Sequence, residues 1–355
     1  MAEKLNGLSL DKLPYPGLTL KELLTERNMQ QKELAARIGM KEQTISGIIN
    51  GYDPITNETA VKLEIIFGIP AAFWNALQSN YNEQKLKLEM IESITDEEIN
   101  LIDNKLYNLV VSMGYLPKMQ NKRDRVIQFR NLLNIPSLFN SKQTLEACGL
   151  FRKNDTLKCD YLALAVWLKM CELETSQTEV GELDIERIKE NLSWIKSLSK
   201  QKPEEFVPLI TNFFAECGVV LKVIKHLPNV PVQGYIEQKE DKVVMCLTIR
   251  QSYADIFWFS LFHELGHLLK GNIKKRHLDF NNDIEEKNAD NFASNTLISP
   301  VSIKELIKNG ISESSIYECA NKNNVDVGIV VGRLQHEKII DYSEFYRLRK
   351  RYKWA

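Results

Sequence analysis

His263-Glu264-Leu265-Gly266-His267 places two imidazoles and a carboxylate within five consecutive residues. On a helix, four residues make about one turn, so both imidazoles leave the same side and can converge on one divalent ion. Glu264 then falls beside that ion. The pattern His-Glu-x-x-His is the one by which a helix holds zinc together with a general base. Catalytic zinc takes three protein ligands and keeps one position for water, so a third ligand is required.

The stretch NNDIEEKNADNFASNTLISP, residues 281–300, offers that ligand. Ala289, Phe292, Ala293 and Thr296 recur at helical spacing and predict a partly buried helix. Glu285 and Glu286 are both candidates. Spacing favours Glu286, because Asp290 lies one turn further along its face and can accept the outer ring N–H of a zinc-bound histidine, whereas Glu285 has only Ala289 there. With Zn2+ in place, bound water acquires a pKa of about 7, and Glu264 takes its proton during attack on a polarised carbonyl. The same carboxyl would then protonate the leaving amine.

The elements that must position these groups are legible nearby. Ser252 and Asp255 form a capping-box signature ahead of Ile256 to Phe262, and Gly271 is placed to end the helix. Apolar residues surround this helix on nearly every side, which predicts burial in a core. Ahead of it, residues 218–224, 233–237 and 242–248 read as strands with a turn over 238–241. The sheet is expected against the metal helix, with the edge around Gly234 and Tyr235 as the place where an extended peptide would pair. Tyr235 reads as an ordinary strand tyrosine, with an oxyanion role the lesser alternative.

A second signal lies near the N-terminus. Leu20, Leu23 and Leu24 precede QKELAARIGMKEQTISGIINGYDPIT, residues 31–56, in which Leu34, Ala35 and Ile38 pack a first helix. Gly39 permits the tight turn, Ile45 and Ile48 anchor a second helix, and Gly51 ends it. Two more helices, over 56–67 and 71–81, complete a five-helix plan of the phage-repressor kind. The exposed positions of the second helix are Glu42, Gln43, Thr44, Ser46 and Gly47; Gln43 suits an adenine edge. Lys32, Arg37, Lys41 and Lys62 suit phosphates, but nearby glutamates offset them, and Glu42 and Gly47 weaken the case. Operator DNA bound by a homodimer is the first reading, and a helical module for protein contact the second.

The segment from Pro16 to Tyr81 resembles the Xre-type repressor domain of HigA-like antitoxins, on PITNETAVKLEIIFGIPAAFWNALQSNY and the preceding turn. From about Glu204 onward the chain resembles an ImmA/IrrE-type zinc metallopeptidase, on DIFWFSLFHELGHLLKG, EKNADNFASNTLISP and VGIVVGRLQHEKII. The resemblance implies a peptidase that cleaves, or promotes removal of, an Xre-type repressor, and a possible toxin partner.

Composition frames these motifs. The chain has 355 residues, 44% hydrophobic and 26% charged, with a net charge of −1, enough for two or three domains and naming no partner by charge. Six cysteines lie far apart without paired spacing, which fits a reducing compartment. MAEKLNGLSL lacks an apolar signal core and no run is long enough to cross a bilayer, so a cytoplasmic location is expected.

The expected architecture is mainly α: the helix-turn-helix domain at 16–81, a helical connecting region at 82–200, and a small α+β zincin-like, gluzincin-type domain at 201–355. In the middle, Thr95 and Glu98 form another capping box and residues 161–171 a buried helix carrying Trp167. Arg333 and His336 are placed to approach the site if the last helices fold back, and Arg347 to Lys353 form a basic patch that reads as a solvated helix end. Two function classes follow: a zinc peptidase acting on a regulatory protein, or a DNA-binding antitoxin or repressor whose metal centre senses or stabilises without hydrolysis.

Overall fold

The computed structural model describes residues 12–147, 159–239, 242–271, 277–278 and 284–353. The chain divides into two compact units, one of residues 1–100 and 119–127, the other of residues 101–118 and 128–355. The region expected as a connector, 82–200, is thus shared between both.

In the first unit, helices α1 (Pro16–Glu26), α2 (Gln31–Ile38), α3 (Glu42–Ile49), α4 (Asn57–Phe67) and α5 (Ala71–Glu92) surround one core. Leu20, Leu34, Ile45, Ala60, Leu63 and Trp74 are fully buried there, each at helical spacing from its neighbours on the same element. Gly39 sits in the left-handed region, φ 63°, and closes α2 with its N–H on the Ala36 carbonyl. Thr56 caps α4 by accepting from the Thr59 N–H. Helix α5 runs past the expected 81 to Glu92, supported by the exposed pair Lys85 and Glu89 one turn apart.

Short helices α6 (Asp96–Asn100), α7 (Asn104–Ser112), α8 (Lys122–Leu133) and α9 (Ser141–Ala147) follow, then the long α10 (Tyr161–Ser176). At α6 the Glu98 N–H donates to the Thr95 hydroxyl, as the predicted capping box requires. Next come α11 (Ile185–Glu190), α12 (Leu192–Ser197) and α13 (Pro203–Glu216). Strands β1 (Val219–Val223), β2 (Gly234–Lys239), β3 (Lys242–Leu247) and β4 (His277–Leu278) make a four-stranded sheet in the order β1-β3-β2-β4. The β1–β3 pair is parallel and the others antiparallel. Part of the turn expected between β2 and β3, at Glu240 and Asp241, lies outside the described residues.

Helix α14 (Ala254–Leu269) carries the His-Glu-x-x-His residues, with α15 (Ile284–Leu297), α16 (Pro300–Asn309), α17 (Glu313–Asn323) and α18 (Val327–His336) behind it in sequence. Strand alternation sends Val219, Leu221, Ile236, Val243, Met245 and Leu247 into one core with Phe257, Trp258, Leu261 and Leu265 of α14. On the opposite face Tyr235 meets Trp167 of α10 edge-on, with ring centroids 6.3 Å apart. The sheet is therefore buried on both faces, and α14 is apolar on most of its surface because it has neighbours on nearly every side. Each of its fully buried Phe and Leu side chains contributes about 1.5–3 kcal/mol.

Two expectations at this level are overturned. The Ser252–Asp255 capping box does not form: Ser252 is left-handed, φ 61°, Tyr253 precedes the first turn, and no side chain caps it. Asp255 instead takes a bidentate contact from Arg349 at 2.6 and 3.0 Å. The C-terminal chain satisfies the helix start: the Ala254 N–H donates to the Lys350 carbonyl, and the Tyr352 N–H to the Ser252 carbonyl. Nor is β2 an edge strand. Tyr235 and Ile236 pair with Leu278 and His277 of β4, so β4 lies outermost there. No described helix is long and apolar enough to cross a membrane.

Candidate functional site

The side chains that could hold a metal ion come from two packed helices. On α14, His263, Glu264 and His267 are 6%, 1% and 2% exposed. Helix α15 approaches where α14 has no side chain: a Cβ at Gly266 would lie 3.1 Å from the Ala289 Cα. That closeness brings Glu286 between the two imidazoles. His263 Nε2 and His267 Nε2 are 3.1 Å apart, and Glu286 reaches them with Oε2 at 3.1 Å and Oε1 at 3.5 Å. Glu285 is exposed.

The donor set fits zinc. A tetrahedral ion with bonds of about 2.0–2.1 Å separates its ligand atoms by about 3.3 Å, which these three distances bracket. The chemistry agrees. Asp290 as a carboxylate only accepts, so His263 Nδ1, 2.9 Å from its Oδ1, carries the hydrogen. The Nε2 lone pair then faces a second imidazole nitrogen and a carboxylate, three electron-rich groups converging within 4.8 Å. A buried cation compensates such a cluster. When the two rings are protonated instead, their hydrogen bonds and charge outweigh the burial that pushes the Glu286 carboxyl up and hold it down at about 2.

Glu264 lies against the start of β2. A Cβ at Gly234 would sit 2.9 Å from Glu264 Cδ and 3.0 Å from its Cγ, and would overlap Oε1. Gln233, beside it, accepts from the Ser260 hydroxyl at 3.3 Å. Tyr235 points to the other face of the sheet, where its hydroxyl meets Glu237 Oε2 at 2.5 Å, so the ordinary strand role holds.

The last helix places its polar residues unevenly. Arg333 Nη1 donates to the Ser294 and Ile298 carbonyls at 2.7 and 2.6 Å, closing the C-terminal end of α15 instead of facing the metal cluster. His336 is exposed and packs on Phe259, which in turn packs on His263, so it stands one ring removed from the ligands. The C-terminal basic run begins on a short 3-10 turn, Tyr346–Leu348, that Arg349 ends, and three of its cations have partners instead of standing free in solvent. Arg349 clamps Asp255 and Gln335, Arg351 donates to the Tyr253 hydroxyl, and Lys350 pairs with Asp326 at 2.5 Å.

In the first unit, Lys32 is exposed at the start of α2, and Lys41, Glu42 and Gln43 are exposed around the start of α3, with Thr44 and Ser46 half-buried. Arg37 and Lys62 pair with Glu33 and Glu58 on their own helices, at 2.6 and 2.7 Å, which spends their charge locally. Gly47 has a structural reason. The Tyr52 and Asp53 N–H groups donate to its carbonyl, and the Asp53 carboxylate occupies the place a Cβ would take.

Residues 20–74 match the helix-turn-helix family. Over 69 residues the chain is 30% identical to an uncharacterized HTH-type transcriptional regulator, YddM, of Escherichia coli (strain K12), spanning 19% of this chain and 73% of that one. Through this domain the chain belongs to the helix-turn-helix family. Among solved structures, an addiction module antidote protein of a HigA family from Coxiella burnetii is 29% identical, with 23% of this chain and 96% of that chain covered and a TM-score of 0.21. Within the helix-turn-helix domain α2 and α3 are the paired helices and α3 the one whose exposed start bears Gln43.

Sequence reasoning missed the Gly234 contact and the Asp255–Arg349 clamp. Neither has a local signature, since their partners lie 30 and 94 residues away.

Proposed function

We propose that this chain is a DNA-binding transcription regulator carrying a zinc-dependent peptidase in its second unit. The observation that carries the peptidase reading is the convergence of His263, His267 and Glu286 within 4.8 Å with Glu264 on the same helix. When bound, zinc would supply a Lewis acid and an activated water. His263 and His267 hold it through Nε2, Glu286 through its carboxylate, and Asp290 fixes the His263 ring and its tautomer. Glu264 accepts a proton at its carboxylate and returns it to the leaving amine. The substrate is a regulatory protein, such as an Xre-type repressor, brought near by DNA-bound copies of the helix-turn-helix domain acting as a dimer.

A second reading, a regulator whose metal centre stabilises or senses without hydrolysis, draws on the near-complete burial of His267 and Glu264. A toxin partner belongs with that reading. Glu264→Gln separates the two, because a base is needed for hydrolysis and not for holding metal. The purified variant should bind one zinc per chain by elemental analysis and shift upstream DNA as the parent does. Cleavage of a co-encoded repressor, followed by mass spectrometry, should be lost. Cleavage by the variant at the parent's rate would exclude Glu264 as the base, and no cleavage by either protein favours the second reading.

A further inference from the structure

Glycine at 234 is explained by no turn: it begins β2, pairs with Leu247 of β3, and does not have a left-handed φ. What a side chain would meet is Glu264, first at Oε1 and then at Cδ and Cγ, 2.9 and 3.0 Å away. Glu264 is 1% exposed and Ile236, the next residue on that face of β2, is 0% exposed, so the carboxylate is confined between α14 and the sheet. A methyl group at 234 therefore competes with one side chain and not with the strand's own backbone. We propose that Gly234 is a positioning residue: its missing side chain is the recess that sets where the Glu264 carboxylate sits beside the histidine pair. This rests on Glu264 being the base, but the contact is measurable without any substrate.

The test is a mutant cycle on the full, zinc-loaded chain, followed by thermal melting and by zinc content. Gly234→Ala should lower Tm of the parent by several degrees, and by a similar amount in Glu264→Gln, whose side chain is the same length. In Glu264→Ala, which empties the recess, the loss should shrink to less than half. Zinc content should remain one per chain in all of them, because the three atoms nearest a Cβ at 234 all belong to Glu264 and none to His263, His267 or Glu286. If Gly234→Ala prevents folding, Gly234→Ala with Glu264→Ala should restore it. Equal losses in all three backgrounds, or failure of the double variant to fold, would overturn the proposal and make the glycine a requirement of the strand. Where repressor cleavage is observed for the parent, Gly234→Ala should lower kcat at least tenfold with KM within about threefold; unchanged kcat would also overturn it. Absence of cleavage in the parent bears on the peptidase reading alone, since the melting cycle is read without it.

Discussion

At the scale of single residues, the proposed metal cluster would divide its labour among donors with different surroundings. His267 and Glu286 are buried, so replacing either by alanine removes a ligand and leaves the remaining polar groups without compensation. Titration of apo-protein with zinc against a competing chelator should show affinity falling by at least about a hundredfold in His267→Ala. Asp290 acts through His263, and its side chain is 54% exposed, so its loss is softened by water. Asp290→Ala should cost about tenfold in zinc affinity, at the lower end of the 10–100-fold usual for partners of metal ligands. Both ligating histidines must be neutral to bind, so affinity should fall as the solution is acidified and zinc uptake should release protons.

At the scale of elements, the start of α14 depends on the far end of the chain. Arg349 and Asp255 form a pair with side chains only 10% and 7% exposed. Burial pushes the Asp255 carboxyl up and the guanidinium draws it part of the way back, so the pair is poised on a large desolvation cost. Removing one partner strands the other: Arg349→Ala should destabilise the second unit by about 3–5 kcal/mol in urea unfolding. Tyr352 accepts from the Trp258 indole N–H at 2.9 Å, and Tyr352→Phe should cost about 1–3 kcal/mol for the orphaned donor. In the helix-turn-helix domain, Lys41 stands just before α3, where it suits a phosphate. Lys41→Ala should weaken binding to upstream DNA evenly across sequences and reduce the salt slope by about one, while Gln43→Ala should relax preference at one base pair. A change in preference without a change in salt slope is the expected contrast between the two.

At the scale of the whole molecule, two units with separate cores would make zinc, on the proposed reading, a local stabiliser. Ligand binding to the folded state adds stability in proportion to the logarithm of free ligand over Kd, about 4 kcal/mol at a thousandfold excess. Chelation should therefore lower the melting of the unit containing α14 and leave that of the helix-turn-helix unit in place. A single transition that shifts as one would show instead that both unfold together.

The sequence by itself determined the features whose causes are local. Two histidines four apart on one helix, Asp290 one turn beyond Glu286, Gly39 in its turn and the stripes of Leu20, Leu34 and Ile45 follow from helical repeat and burial, which are set within a few residues. The three strands before α14 were legible for the same reason. Only the tertiary structure decided how the site is closed and held: α10 on the back of the sheet, β4 on the edge expected for a peptide, Arg349 on Asp255 in place of a capping box, and Gly234 against Glu264. Those contacts join residues 30 to 94 positions apart, and no local propensity encodes them. They exist because a buried charge or a bare backbone position must find its complement wherever the folded chain supplies one.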